Sequence, residues 1–337
     1  MKAYRGPPAT RRLRRLPVLP LLVLLWLAWV LATAPARAAA DCPPQASPPT
    51  AGQLRDGLRD ARDRGLLWRI EKDGQTGWLY GTLHVGRPGW ASPGPRIHQA
   101  LREADTVALE LDLADPAVLQ AFGEALAGLK ARDAAQPVPA GLRTRLAALA
   151  RADCLDAAGF DALPPLLQVL GLAALAGRRD GLDPAFAQEH ALGSLARAAG
   201  QRVVSLETPA GQLAALMPDD PAELAATVDQ IIGEIESGQA RRVVGRAADL
   251  WSRGDLNTMA DPEAWCECIT SDADRARLQR LNDARNPALA DAIVALLGQR
   301  RRVFAAVGAL HMTGPMALPR LLAQRGVRIE RITWPTP

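Results

Sequence analysis

Apolar positions along this chain repeat at two periods. From Ala51 to Gly65 they fall at Leu54, Leu58, Ala61 and Gly65, the spacing of one helical face, which predicts an amphipathic helix there. A hairpin is predicted next. Leu67 to Ile70 and Trp78 to Tyr80 are β-type runs, separated by Asp73-Gly74 and Gly77, residues that suit a tight reversal. The second run leads directly into Gly81-Thr82-Leu83-His84. A loop rich in Pro and Gly and a short helix to about Ala104 precede Thr106 to Leu111, an apolar run short enough to be a buried strand.

The stretch from Asp115 to Gly200 is dominated by Ala and Leu, with breaks at Pro137-Val138-Pro139 and Pro164-Pro165. It predicts several helices, one of them starting at Pro184. Arg202 to Glu207 is a further strand, followed by Thr208 as helix cap and Pro209 at the first helical position. Pro221 to Arg285 is again helical, with Trp251 and Trp265 as packing residues. Arg302 to Val307 predicts a strand ended by Gly308-Ala309-Leu310-His311, then a helix from Met316 to Gln324 and a last strand from Val327 to Arg331. The fold class is therefore α/β, a mixed sheet with abundant flanking helices.

The N-terminus changes the picture of where this domain works. Seven basic residues and no acid accompany an apolar run from Leu16 to about Leu31, and Ala36-Arg37-Ala38 and Ala38-Ala39-Ala40 both fit a cleavage site. This is the pattern of an export signal. The predicted organisation is a signal peptide over 1–40, an extension over 41–66, one domain over 67–331 and a tail over 332–337. Localisation is periplasmic or secreted, with membrane contact only through the signal before cleavage. The alternative is an uncleaved inner-membrane anchor, since the run approaches the ~18 residues of a spanning helix. Cleavage would remove seven of the 40 basic residues and none of the 36 acids, moving the formal net charge from +4 to about −3. A mature chain of that balance lacks the basic footprint of a nucleic-acid binder.

Cys42, Cys154, Cys266 and Cys268 in an oxidising compartment are read as structural disulfides, for which three complete pairings exist. Cys266 and Cys268 are too close for an easy bridge to each other, so at least one of them is expected to reach Cys42 or Cys154. A Cys/His zinc site is the alternative.

Two of the four histidines, His84 and His311, stand three residues after a glycine at the end of a predicted buried strand. Glycine there lets the backbone turn and approach a ligand, and in α/β sheets that edge is where sites assemble. Glu110, within its strand, and Glu207, at the end of another, complete a set of two imidazoles and two carboxylates. Such donors suit Zn, Mn, Co or Fe better than calcium, with an open position for a nucleophilic water. One carboxylate would ligate while the other serves as general base. The plainer alternatives are a loop histidine that only makes hydrogen bonds and a glutamate paired with an arginine. His98 and His190 are read as surface or packing residues, Asp112 as a cap on the strand exit, and Trp78, Trp90 and Trp251 as core.

These residues resemble the TraB/PrgY/GumN family, whose hallmark is a pair of GxxH motifs. Trp78 to Gly86, Ala108 to Asp112, Leu206-Glu207-Thr208 with Gln212, Asp283 to Asn286 and Val307 to Gly314 resemble its successive blocks, so the likeness spans about Leu67 to Arg331. The resemblance implies a fold similar to the erythromycin-esterase/ChaN-like group and kinship with the Tiki proteins, divalent-metal-dependent proteases. It further implies His84, Glu110 and His311 as ligands of Mn, Co or Zn and Glu207 as a second carboxylate. Arg285 and Asn286 would bind substrate or stabilise an oxyanion. The expected function is a metal-dependent hydrolase of peptide or protein substrates. The alternatives are a non-catalytic binding protein for haem or peptide, and an accessory factor in envelope or exopolysaccharide biogenesis.

Overall fold

The computed structural model describes residues 42–335; the expected signal segment and its cleavage sites lie outside the described residues. Six strands form one sheet: β1 (Leu66–Lys72), β2 (Gln75–Thr82), β3 (Thr106–Leu109), β4 (Arg202–Ser205), β5 (Val303–Gly308) and β6 (Arg328–Ile332), in the order β4-β3-β5-β2-β1-β6. The pairs β4/β3, β3/β5 and β5/β2 are parallel, whereas β1 runs antiparallel to both β2 and β6. The expected mixed α/β fold is what the chain adopts.

Strand β5 shows why its sequence is an unbroken apolar run. It is flanked on both sides by parallel strands, and every side chain from Val303 to Val307 is fully buried. The β1–β2 hairpin pairs Lys72 with Gln75 across a two-residue turn in which Asp73 (φ 49°) and Gly74 (φ 76°) are both left-handed. That is the conformation a two-residue hairpin turn demands, and Asp-Gly supplies it at low steric cost. Thr208 caps the helix Pro209–Leu216 through its hydroxyl, as its sequence predicts.

Two expected helices differ in extent. Thr50 and Gln53 form a capping box at the start of Ala51–Gly57, but the helix stops eight residues short of Gly65. The Ser92 hydroxyl donates to the Leu54 carbonyl at 2.8 Å, and Leu58 N–H turns instead to Arg55, so the last turn tightens and ends. Pro184 opens only a 3₁₀ turn, Pro184–Phe186, because Asp183 is held in a β-bridge to Gly86; the α-helix begins at Gln188.

The long helical middle does not lie wholly on the sheet. Helices Ala140–Ala152, Pro165–Leu175 and Pro221–Glu236 enclose an apolar cluster of their own, with Leu146, Val169, Leu172, Val228 and Ile232 at its centre and no strand residue in it. Leu192 and Leu195 of the helix Gln188–Ala198 belong instead to the cluster on the sheet. No helix among the described residues is long and apolar enough to cross a membrane.

The cysteines correct the expected pairing. Cys42 bonds Cys154, and Cys266 bonds Cys268. The backbone leaves the short helix Pro262–Trp265 in an extended conformation at Cys266, which puts the Cα atoms of Cys266 and Cys268 5.1 Å apart, inside the ordinary disulfide range. With all four thiols so paired, no cysteine is left for a zinc site. Cys42–Cys154 closes a loop of 112 residues, which restricts the unfolded chain by about 5 kcal/mol on the chain-entropy account.

Candidate functional site

Because β2, β3, β4 and β5 are parallel, their C-terminal ends share one edge of the sheet, and each delivers one of the residues singled out in the sequence. His84 follows β2, Glu110 follows β3, Glu207 follows β4 and His311 follows β5. Glu110 stands just beyond its strand, not within it, where its carbonyl still accepts the Glu207 N–H at 3.1 Å. Trp251 braces the exit of β2 by donating its indole N–H to the Gly81 carbonyl at 2.8 Å.

Gly308 is the hub. Its N–H donates to Glu110 Oε1 at 2.7 Å. A Cβ at that position would stand 3.2 Å from the same carboxylate oxygen and 3.6 Å from both the His84 and His311 rings. The missing side chain leaves the space into which three functional groups converge, and a Cβ there would make the Glu110 carboxylate give way by a few tenths of an ångström.

Arg285 fills the centre of the crevice. Its Nη2 donates to Glu110 Oε2 at 2.6 Å and makes a close ion pair with Glu207, while its Nε donates to Glu207 Oε1 at 2.9 Å. Nη1 donates to the Leu281 carbonyl at 3.0 Å and faces His311 Nε2 at 3.3 Å. Burial alone would lower the guanidinium pKa, but hydrogen bonds and charge from Glu207 and Glu110 raise it, so the group is permanently cationic. Burial likewise works against the Glu110 carboxylate. His84, His311, Arg285 and the Gly308 N–H more than offset it and hold the pKa down to about 2.

His311 is buried and tautomer-locked. Asn286 donates through its amide nitrogen to the carbonyls of His311 (3.3 Å) and Met316 (2.8 Å), which turns its oxygen toward His311 Nδ1 at 2.6 Å. The proton therefore sits on Nδ1, and Nε2 presents its lone pair. Burial depresses the His311 pKa to about 4, with Glu110 opposing and Arg285 reinforcing the shift, so the ring is neutral at pH 7. Fully buried Asn286 thus uses its amide to orient His311, whereas the family resemblance implied a part in binding substrate or stabilising an oxyanion.

His84 lies at the mouth, its side chain 69% exposed, with Nδ1 3.4 Å from Glu189 Oε1. The neighbouring Glu189 carboxylate raises its pKa, Glu110 adds a smaller upward push, and the charge of Arg285 opposes them. Glu189 also accepts a close hydrogen bond from the Thr82 hydroxyl, while its second oxygen, Oε2, is buried with no partner. Among the described residues, one ligand atom from each of His84, Glu110 and Glu189 lie within 4.8 Å of one another. The neighbouring Gln188 accepts the Leu83 N–H at 2.8 Å, and the Gly86–Asp183 bridge (3.1 and 2.9 Å) ties the loop after His84 to the segment that carries Glu189.

Glu189 escapes sequence reasoning. It occupies the first turn of a helix, where an acid is expected for the helix dipole alone, so no local pattern separates it from a surface charge. Gln212, by contrast, lies in one of the sequence blocks noted above and donates to Glu110 Oε2 at 3.2 Å. Asp112 accepts from Ala114 N–H at 3.2 Å, as a strand-exit cap should, and also pairs with Arg197. His98 and His190 stand apart in half-buried helical positions.

Comparison with known proteins finds that residues 66–331 match the TraB/PrgY/gumN family. A stretch of 36 residues is 56% identical to the L-cysteine:1D-myo-inositol 2-amino-2-deoxy-alpha-D-glucopyranoside ligase of Rothia mucilaginosa (strain DY-18), covering 11% of this chain and 8% of that protein. A match that spans so little of either protein carries no argument about activity. No solved structure matches the chain.

Proposed function

The chain belongs to the TraB/PrgY/gumN family, and from that premise we propose that it is an exported hydrolase of peptide bonds that works with a divalent cation at the C-terminal edge of its sheet. The observation that carries this reading is the convergence of His84, Glu110 and Glu189, whose ligand atoms lie within 4.8 Å of one another. The unpartnered, buried Glu189 Oε2 fits the same reading, because a carboxylate oxygen is not left without a partner there at no cost. Imidazole with two carboxylates suits Mn, Co or Zn. His311 stands outside that set: its Nε2 faces Arg285 Nη1 at 3.3 Å and helps to hold the guanidinium.

A bound cation would polarise the scissile carbonyl and acidify a water molecule. The chain's own residues do the remaining work. Arg285 keeps a fixed positive charge beside the reacting group, and because its N–H groups are engaged by Glu110, Glu207, the Leu281 carbonyl and His311, it acts on a developing oxyanion through its field. Glu207 holds that guanidinium in place. Glu189 stands 3.4 Å from His84 Nδ1 and orients that ring at the mouth of the crevice. Two disulfides suit an oxidising compartment and so support export.

The test is cleavage of a defined peptide library by the mature chain, followed by mass spectrometry. Turnover that requires Mn, Co or Zn, stops with chelator and is lost in His84→Ala is expected. Saturable peptide binding with every peptide recovered intact from the metal-loaded protein would instead make this a binding protein.

A further inference from the structure

The Cys266–Cys268 disulfide has features that a structural tether does not need. It joins residues two positions apart, so closing it removes little freedom from the unfolded chain. Its loop is already fastened by other means. Cys266 N–H bonds the Pro262 carbonyl at 2.8 Å, Gln239 donates to the Glu267 carbonyl at 2.6 Å, and Arg242 pairs with the Glu267 carboxylate at 2.7 Å. The residues that follow are held by Asp274, whose Oδ2 accepts the N–H groups of Thr270 and Ser271, both at 3.0 Å.

The two sulfurs also differ in access. Cys266 is buried and Cys268 is only half-buried, so an incoming thiolate reaches Cys268 first. Trp265 and Glu267, the neighbours of Cys266 in the chain, line an open groove of roughly 300 Å³ with Arg242, Val243 and Arg246, so the pair adjoins a surface recess.

We propose that Cys266–Cys268 is a thiol–disulfide exchange site that oxidises a dithiol in a protein or peptide. A thiolate of the dithiol attacks Cys268 Sγ; the bond between Cys268 and Cys266 breaks, and its electron pair leaves on Cys266 Sγ. The second thiol of the dithiol then attacks its own sulfur in the mixed disulfide and releases the Cys268 thiolate. The partner ends as a disulfide, two electrons poorer, and Cys266 and Cys268 take up the two protons. This activity uses none of the residues at the sheet edge and stands independently of the hydrolase reading.

The intact protein is equilibrated in buffers of increasing ratio of reduced to oxidised dithiothreitol, quenched with N-ethylmaleimide and mapped by peptide mass spectrometry, with circular dichroism as the control for folding. Cys266 and Cys268 should be labelled together at a ratio at least about tenfold lower than Cys42 and Cys154 require, with the fold intact. If Cys266–Cys268 stays closed until Cys42–Cys154 opens, the proposal fails. Single variants then test the order of attack with glutathione disulfide as the probe. The remaining Cys268 thiol of Cys266→Ser should form its mixed disulfide about tenfold faster than the remaining Cys266 thiol of Cys268→Ser. Equal rates, or the reverse order, would overturn attack at Cys268.

Discussion

Replacing Arg285 by Met removes the one cation that two buried carboxylates share while keeping most of the side chain's apolar bulk. Side-chain exposures of 14% for Arg285, 6% for Glu110 and 11% for Glu207 leave little water to take over the lost contacts. Breaking a buried pair from one side typically costs about 3 to 5 kcal/mol, because the remaining charge stays buried without its partner. Glu110 keeps the Gly308 N–H and Gln212, so the greater part of the loss falls on Glu207. A double-mutant cycle isolates it: Glu207→Gln in the Arg285→Met background should recover about 2 kcal/mol, giving a coupling energy well above the additive limit of about 0.5 kcal/mol. The assay is urea unfolding at pH 7, followed by circular dichroism, with chelator present so that no cation can replace the guanidinium. A loss below about 1 kcal/mol for Arg285→Met, or additivity with Glu207→Gln, would refute the shared clamp.

Gly308→Ala places a methyl group 3.2 Å from Glu110 Oε1 and 3.6 Å from His84 Nε2, so cation affinity measured by calorimetric titration should fall about 10-fold or more while the fold persists. Asp274 gives the acid limb a distinct signature. Burial opposes its ionisation, but hydrogen bonds from Gln230, Thr270 and Ser271 and the charge of Arg277 lower its pKa to about 2. A carboxylate depressed in the folded state contributes stability above its unfolded pKa and loses it as pH falls through the folded value. About 2 kcal/mol should therefore disappear between roughly pH 4 and pH 2, and the wild-type minus Asp274→Asn difference in urea midpoints should shrink across that window.

What was legible in the sequence is what short-range chemistry dictates. The apolar run of β5, the Asp73-Gly74 turn, the Thr208-Pro209 helix start and the two glycine-led histidines all declare themselves locally, and parallel strands then bring their ends to one edge. The unread parts depend on contacts between distant segments. The helix at Ala51 stops because Ser92 takes a carbonyl, and Glu189 enters the site because the Gly86–Asp183 bridge aligns two segments about a hundred residues apart. The closing of Cys266 onto Cys268 follows from an extended backbone at Cys266 that spacing alone does not reveal. The separate helical cluster around Val169 and Val228 was hidden for a related reason: an Ala/Leu pattern marks a buried face without naming its partner.

The central claim is that His84, Glu110 and Glu189 hold a divalent cation. It is tested most directly by elemental analysis of the mature protein after reconstitution with Mn, Co or Zn, comparing wild type with His84→Ala and Glu189→Gln once all three are shown to be folded. One equivalent of metal in the wild type, lost in both variants, is the predicted result. A wild type that takes up no metal, or variants that retain the full equivalent, would contradict it.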